Sequence, residues 1–127
     1  MMEKIHESYE DYLKAIFLIS KRNKGGWVSN SEISNFLNIK PSSVTNMLYN
    51  LKNNDYIEWK PRKSIRLTKK GKDIACNTIN NYNSLVKFFS NVLKVKNNAL
   101  IEKISCEIEH HINPEISNAL EELFSKF

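Results

Sequence analysis

The sequence predicts a mainly α-helical protein that contains one short β-hairpin. Three observations support this fold class. Apolar residues recur at the three- and four-residue spacing of amphipathic helices along most of the 127-residue chain. Helix-start signals, namely capping boxes and an early proline, precede these stretches. Strand-like sequence around a turn occurs in residues 56–67.

The first helix is expected from residue 8 to about residue 24. Ser8 and the residues up to Asp11 resemble a capping box at its start. Gly25 and Gly26 end the helix. Its apolar residues follow helical spacing: Tyr12, Leu13, Ile16, Phe17 and Ile19.

Two shorter helices follow, joined by a tight turn. Ser29 and Glu32 form a clear capping box at the start of the second helix. Asn38 tolerates the left-handed backbone conformation of a tight turn. Pro41 suits the first turn of the third helix, because the amide hydrogen that proline lacks is not needed there. The third helix is expected to bury three residues and to end near residue 53: Val44, Leu48 and Leu51.

A hairpin and three helices complete the chain. The strand-like segments 56–59 and 64–67 flank a predicted tip at residues 60–63. Thr68 can cap a long helix, and two further helices are expected over residues 97–111 and 114–127. Helix, short helix, turn, helix and hairpin in this order form a winged helix-turn-helix. We therefore expect a winged helix-turn-helix DNA-binding domain over residues 1–70 and an all-helical domain over residues 71–127.

The long helix also predicts an oligomer. Its apolar residues between positions 74 and 93 cover two sides, so the helix needs both its own core and a second surface. We expect a homodimer built mainly from this helix, which makes residues 71–127 a dimerisation domain.

Composition excludes several protein classes. The chain is 41% hydrophobic and 26% charged, and no apolar stretch approaches the roughly 20 residues that span a bilayer. The N-terminus does not resemble a signal peptide. Two cysteines, Cys76 and Cys106, do not suggest a disulfide framework. We expect a cytoplasmic protein with reduced thiols and no membrane partner.

Positive charge is concentrated in the first half of the chain. Residues 1–70 carry 13 lysines and arginines against 7 carboxylates, whereas residues 71–127 carry 6 against 7. Within residues 40–72 the excess is nine against two. A basic first half and a slightly acidic second half indicate that only the first half meets a polyanion. A solvated basic face without a partner is the alternative interpretation.

Double-stranded operator DNA is the polyanion that the pattern favours. The exposed face of the third helix would present hydroxyl and amide groups that bind phosphates or base edges when a helix lies in the major groove. The hairpin, which is the wing of this motif, adds cations. They can contact the DNA backbone without exact alignment to the bases. The predicted DNA-binding residues are Lys40, Ser42, Ser43, Thr45, Asn46, Tyr49, Arg62, Lys63 and Arg66.

A possible metal half-site lies near the end of the chain. Cys106, Glu109 and His110 are spaced at i, i+3 and i+4, so on a helix they share one face. Thiolate, carboxylate and imidazole together suit a first-row divalent metal ion. The same pattern also fits a buried cysteine beside two exposed polar residues. Metal-dependent catalysis is disfavoured, because the chain lacks a paired nucleophile and base and a phosphate-binding glycine loop. We do not expect an enzyme.

Four segments together resemble the DtxR/MntR family of iron- and manganese-dependent repressors. They are SYEDYLKAI at 8–16, PSSVT at 41–45, IRLTKKG at 65–71 and CEIEHH at 106–111. They are similar to the family's opening helix, recognition helix, wing exit and metal helix, in that order. The resemblance covers nearly the whole chain, without the SH3-like domain of longer members.

The resemblance implies a homodimer that binds operator DNA when it is loaded with Fe²⁺ or Mn²⁺. It implies that Asp11 joins Cys106, Glu109 and His110 as a metal ligand, with Glu102 as a weaker candidate. Zn²⁺, Co²⁺ or Ni²⁺ can replace the physiological ion in vitro. The chain departs from the family at a second metal position, where it has three other residues: Lys14, Asn83 and Lys87.

These observations predict a metal-dependent transcriptional repressor that controls metal-ion homeostasis, with the metal as corepressor. The alternative is a winged-helix regulator that is independent of metal, or that responds to thiol oxidation at Cys76 or Cys106.

Overall fold

The computed structural model describes residues 6–60 and 64–126 and confirms the mainly helical fold class with an N-terminal winged helix-turn-helix. A 3₁₀ turn follows α1, a π-helical segment (Phe88–Val92) follows α4, and a second 3₁₀ turn (Glu109–His111) follows α5. The described elements are α1 (Glu7–Arg22), α2 (Asn30–Leu37), α3 (Pro41–Asn53), β1 (Ile57–Lys60), β2 (Ser64–Leu67), α4 (Lys69–Lys87), α5 (Asn98–Ile108) and α6 (Pro114–Phe124).

The chain divides into two compact units, Met1–Cys76 and Asn77–Phe127. The division lies about two turns into α4, whereas the sequence places the domain boundary between residues 70 and 71, in the first turn of this helix. No helix in the described part of the chain has the length and apolar character that crossing a bilayer requires.

The first unit has a continuous apolar core. Helix α3 contributes Val44, Leu48 and Leu51, all fully buried, as the helical spacing predicts. Burial of such aliphatic side chains contributes on the order of 1.5–3 kcal/mol each. The other fully buried core residues come from α1, α2, the segments around the sheet and α4: Leu13, Ile16, Ile19, Val28, Ile33, Ile65 and Ala75.

The sheet is a two-stranded antiparallel hairpin that is tied to the segment before α2. Strand β1 pairs with β2 from Ile57 opposite Leu67 to Lys60 opposite Ser64. Val28 exchanges two backbone hydrogen bonds with Ile65, each 2.8 Å long, and so attaches the chain before α2 to β2. The predicted hairpin tip includes residues 61–63, which lie outside the described residues.

Helix starts follow the local signals with one exception. The α2 capping box is complete, because Ser29 Oγ accepts the Glu32 amide and the Glu32 carboxylate accepts the Ser29 amide. The capping box predicted at Ser8 is wrong. Helix α1 begins at Glu7, and His6 Nδ1 caps it by accepting the Ser8 amide at 3.1 Å. Ser8 therefore already lies inside the helix.

The start of α4 combines a cap with a close backbone approach. Thr68 Oγ1 accepts the Gly71 amide at 3.1 Å, as the sequence predicts, and donates to the Asp55 carbonyl at 2.6 Å. A Cβ atom at Gly71 would lie 2.1 Å from the Tyr56 carbonyl oxygen. Glycine is therefore required at this position, since a larger residue would push the helix away from the backbone of Tyr56, just before β1.

The second unit is built from the remainder of α4 with α5 and α6. Thr78, Asn81 and Leu85 of α4 are buried, as are Ile101 and Ser105 of α5. The predicted helix over residues 97–111 is shorter than expected, because its last turn tightens into the 3₁₀ turn. The long helix likewise ends as an α-helix at residue 87 and continues in the π-helical segment. None of the described residues of α6 is fully buried.

Candidate nucleic-acid interface and metal centre

Helix α3 presents a polar surface. Ser42, Ser43, Asn46 and Tyr49 are exposed on it, opposite the buried leucines. The centroid of the Tyr49 ring lies 5.0 Å from that of Trp59 on β1, so the aromatic contact links α3 to the hairpin. This surface can offer hydroxyl, amide and phenol groups to a groove of duplex DNA.

Thr45 differs from its neighbours on α3. Its hydroxyl donates to the Pro41 carbonyl at 3.0 Å and accepts a 2.8 Å hydrogen bond from the Asn30 side-chain amide. Sequence reasoning grouped Thr45 with the exposed hydroxyls, but the structure places its hydroxyl in a contact between α2 and α3.

The hairpin carries cations that surround one indole ring. Lys60 Nζ lies 6.0 Å and the Arg66 guanidinium 5.4 Å from the centroid of Trp27. Cation–π contacts of this kind orient the side chains without neutralising their charge. Trp27 was missed by sequence reasoning, because an aromatic residue next to a capping box carries no signal of partners on a distant hairpin. Arg62 and Lys63 lie outside the described residues.

Lys40 stands at the start of α3. It is the residue that precedes the first turn, and its side chain is exposed. A cation there is available to a phosphate of bound DNA.

Two of the predicted metal-binding residues form a buried pair in the second unit. Glu109 is 1% exposed, the His110 side chain is 6% exposed, and Glu109 Oε1 lies 3.6 Å from His110 Nε2. Buried carboxylates are stable when they are paired, hydrogen-bonded or bound to a metal ion. The buried carboxylate and adjacent imidazole fit the donor set of a first-row divalent metal ion.

Cys106 is exposed on α5, and Glu102 is also exposed one turn earlier. The 3₁₀ turn that begins at Glu109 changes the helical spacing on which the predicted common face depends.

Tyr82 of α4 was also missed by sequence reasoning. Burial raises the pKa of its phenol, and the negative charges of Glu102, Cys106 and Glu109 raise it further. Asn83, which occupies a position where the resemblance implies a metal ligand in other family members, is exposed. The only sequence signal for Tyr82 was its place in the apolar stripe of the long helix.

Lys87 contacts a different part of the second unit. Its Nζ atom lies 4.6 Å from the centroid of the Phe124 ring on α6.

In the first unit, Asp11 and Lys14 are partly buried on α1. The neighbouring Tyr12 belongs to the core, and burial raises the pKa of its phenol.

Two protein-family models match the chain. The model described as iron dependent repressor, N-terminal DNA binding domain, matches residues 4–65. The model described as iron dependent repressor, metal binding and dimerisation domain, matches residues 68–127. An uncharacterized HTH-type transcriptional regulator of Methanocaldococcus jannaschii is 33% identical over 121 residues, which are 95% of each chain.

Solved structures share the fold. The chain is 26% identical to T. acidophilum IdeR, with a TM-score of 0.75, and the match covers 98% of this chain and 56% of that one. For the manganese regulator SloR the identity is 24%, the TM-score 0.76 and the coverage 92% and 53%. A hypothetical protein of Sulfolobus solfataricus is 19% identical, with a TM-score of 0.72 and coverage of 97% and 92%. The chain thus spans about half the length of the first two structures.

Proposed function

The chain belongs to the iron-dependent repressor family, and on this premise we propose that it is a metal-dependent transcriptional repressor that controls metal-ion homeostasis. One observation carries the proposal. A winged helix-turn-helix with an exposed polar α3 and a buried Glu109–His110 pair occur in the same chain, each within the segment that the corresponding family model matches.

The DNA-binding role rests on α3 and the hairpin. Helix α3 enters the major groove, where Ser43 and Asn46 contact base edges. Cations near the groove contact phosphates, which gives affinity without sequence preference. The geometry around Trp27 supports this role, because the ring holds the charges of Lys60 and Arg66 on the same element.

The metal-binding role rests on the second unit. Glu109 and His110 would hold the ion, Cys106 is the proposed thiolate ligand, and Glu102 is a weaker candidate. Asp11 is proposed as a further ligand on the sequence resemblance alone. When bound, a divalent cation would supply the positive charge that holds carboxylate, imidazole and thiolate together. Carboxylate and imidazole suit Fe²⁺ or Mn²⁺, whereas the thiolate favours Fe²⁺, Co²⁺, Ni²⁺ or Zn²⁺.

Residues of this chain would convert binding into regulation. Helix α1 supplies Leu13 and Ile16 to the core of the DNA-binding unit. A metal ligand on α1, as proposed for Asp11, would therefore bias the arrangement of the two DNA-binding domains in a dimer. The free energy available for this bias equals the difference between the metal-binding free energies of the two arrangements.

A homodimer is the proposed assembly. The second unit, which matches a dimerisation domain, exposes three large aliphatic side chains: Leu93, Leu100 and Ile116. Phe88 and Phe89 pack edge to face at 5.7 Å in the π-helical segment and are only partly buried. Apolar surface of this kind is stabilised by burial against a second copy.

Operator binding with and without metal tests the proposal. A duplex is first selected from a random library in the presence of Mn²⁺ or Fe²⁺, and its affinity is then measured by fluorescence anisotropy with metal and with chelator. We expect metal to tighten binding, and we expect His110→Gln to remove this effect. His111→Gln is the matched control, because the adjacent histidine is exposed.

Equal affinity with metal and with chelator would contradict the proposal and favour the metal-independent regulator. The thiol-responsive alternative has support from one observation, the exposure of Cys106. It predicts that a thiol oxidant alters operator affinity in the wild type and not in Cys106→Ser.

A further inference from the structure

A cleft of about 300 Å³ lies in the first unit, and of the residues that line it only Arg66 has a part in the proposed function. Its walls come from three elements: Lys21 of α1, Arg66 of β2 and Lys72 of α4 each contribute a cation. Phe17 and Leu67 contribute apolar surface. The volume falls at the lower end of the range that small-molecule sites occupy.

The charge of the cleft is unbalanced. The residues that line it include three cations and no carboxylate. In the part of the chain that the structure describes, none of these three cations forms an ion pair. Lys21 Nζ instead lies 4.6 Å from the centroid of the Phe17 ring, and Arg66 lies against Trp27. Aromatic faces hold the side chains in place and leave their positive charge available to an anion.

The number and type of cations favour a phosphate group over a carboxylate. A phosphate carries more charge and more acceptor oxygens than a carboxylate, and three donors on different elements can share them. The planar guanidinium of Arg66 matches two phosphate oxygens, while the ammonium groups of Lys21 and Lys72 act as point charges. Gly26 lines the cleft with φ +75° and no side chain, so the backbone does not obstruct the approach of a ligand.

We propose that this cleft binds a phosphate group through Lys21, Arg66 and Lys72. The group can come from the backbone of DNA that flanks the α3 contact, or from a free phosphate-bearing molecule. In the first case the contact adds sequence-independent affinity and helps to position the protein. In the second case the first unit has a ligand site of its own, separate from the proposed metal site.

The first measurement uses inorganic phosphate as the probe. Full-length protein labelled with ¹⁵N is titrated with sodium phosphate, with sodium chloride of equal ionic strength as the reference. We expect saturable shifts of the Gly26 and Leu67 amide resonances. Lys21→Ala/Lys72→Ala should weaken phosphate binding by about fivefold, if each contact is worth about 0.5 kcal/mol. Lys103→Ala/Lys126→Ala is the matched control, since it removes two exposed cations from the second unit.

The second measurement identifies the source of the phosphate. Affinity for a labelled duplex of arbitrary sequence is measured across a range of salt concentrations. If DNA is the source, the cleft variant lowers the salt dependence by about one counterion per lost contact, and the control variant does not. If a free molecule is the source, the salt dependence is unchanged and only the phosphate titration is affected. If the cleft and control variants behave alike in both measurements, the proposal is wrong.

Discussion

The side-chain amide of Asn30 donates a 2.8 Å hydrogen bond to the hydroxyl of Thr45, which joins the first residue of α2 to the second turn of α3. The Thr45 hydroxyl in turn donates a 3.0 Å hydrogen bond to the Pro41 carbonyl. The side-chain oxygen of Asn30 is buried and has no hydrogen-bond partner among the described residues. The Asn30–Thr45 hydrogen bond therefore joins α2 to α3, the proposed recognition helix.

Thr45→Val tests whether this contact positions α3. The change keeps the shape of the side chain and removes the hydroxyl, so Asn30 loses its partner at a cost of about 1–3 kcal/mol. We expect lower thermal stability and a similar loss of affinity for all DNA sequences. Thr45→Ser should restore both. Asn46→Ala, in contrast, should change discrimination between sequences, and a change of discrimination in Thr45→Val would contradict the positioning role.

The wing charges are expected to bind DNA without reading its sequence. Arg62→Ala/Lys63→Ala should weaken binding to specific and arbitrary duplexes alike, because these cations are predicted to contact phosphates. The slope of log affinity against log salt should fall by roughly one counterion per lost contact. Anisotropy titrations at several salt concentrations measure this slope, and an unchanged slope would exclude the two residues from the interface.

Metal binding should depend on the buried pair. Calorimetry on the apo protein should find about one strong site per chain for Mn²⁺, Fe²⁺ or Zn²⁺. Glu109→Ala or His110→Ala should abolish it, whereas Cys106→Ala should weaken Zn²⁺ and Co²⁺ more than Mn²⁺, because thiolate prefers softer ions. The affinity should fall at low pH, since the ligands must lose their protons to bind. Unchanged metal affinity in Glu109→Ala would show that the pair is structural.

The exposed aliphatic residues of the second unit should support dimerisation. Leu93 is 52% exposed, so Leu93→Glu places a charge on the surface without disturbing the core of one chain. We expect sedimentation velocity to show a shift from a dimer towards a species of 14.8 kDa. Lys94→Glu is the control for added negative charge at the adjacent exposed position. A wild-type protein that sediments as a monomer at micromolar concentration would contradict the proposed assembly.

The first unit should lose stability in acid when the Glu32 carboxylate becomes protonated. A hydrogen bond from Asn23 lowers the pKa of this carboxyl below the ordinary 4.5, and the amide and hydroxyl of Ser29 and the charge of Arg22 lower it further. The unfolded chain therefore binds this proton more readily than the folded chain. The stabilisation is complete above the ordinary pKa and is lost as the pH falls through the lowered one.

Urea unfolding at several pH values measures this contribution. The difference in unfolding free energy between wild type and Glu32→Gln should shrink as the pH falls through that range. Asn23→Ala should reduce the pH dependence in the same way, because it removes the main cause of the shift. A difference that is independent of pH would show that Glu32 acts through packing or capping alone.

Local signals predicted the helix-turn-helix well. The α2 capping box, the left-handed Asn38 and the proline at the start of α3 all depend on atoms within four residues of one another. Where two local signals compete, the sequence is less informative. His6 and Ser8 both carry an acceptor that can cap α1, and only the position of the helix start shows that His6 does so.

The chain by itself determined the order of elements, the buried face of α3 and the segments that carry the metal-ligand and DNA-contact candidates, because periodicity and capping are short-range properties. The tertiary structure decided which candidates have other partners. It joined Thr45 to Asn30 and placed Lys60 and Arg66 near the ring of Trp27. Each of these contacts links residues that are far apart in the sequence, and only the packing of separate helices and strands sets such distances.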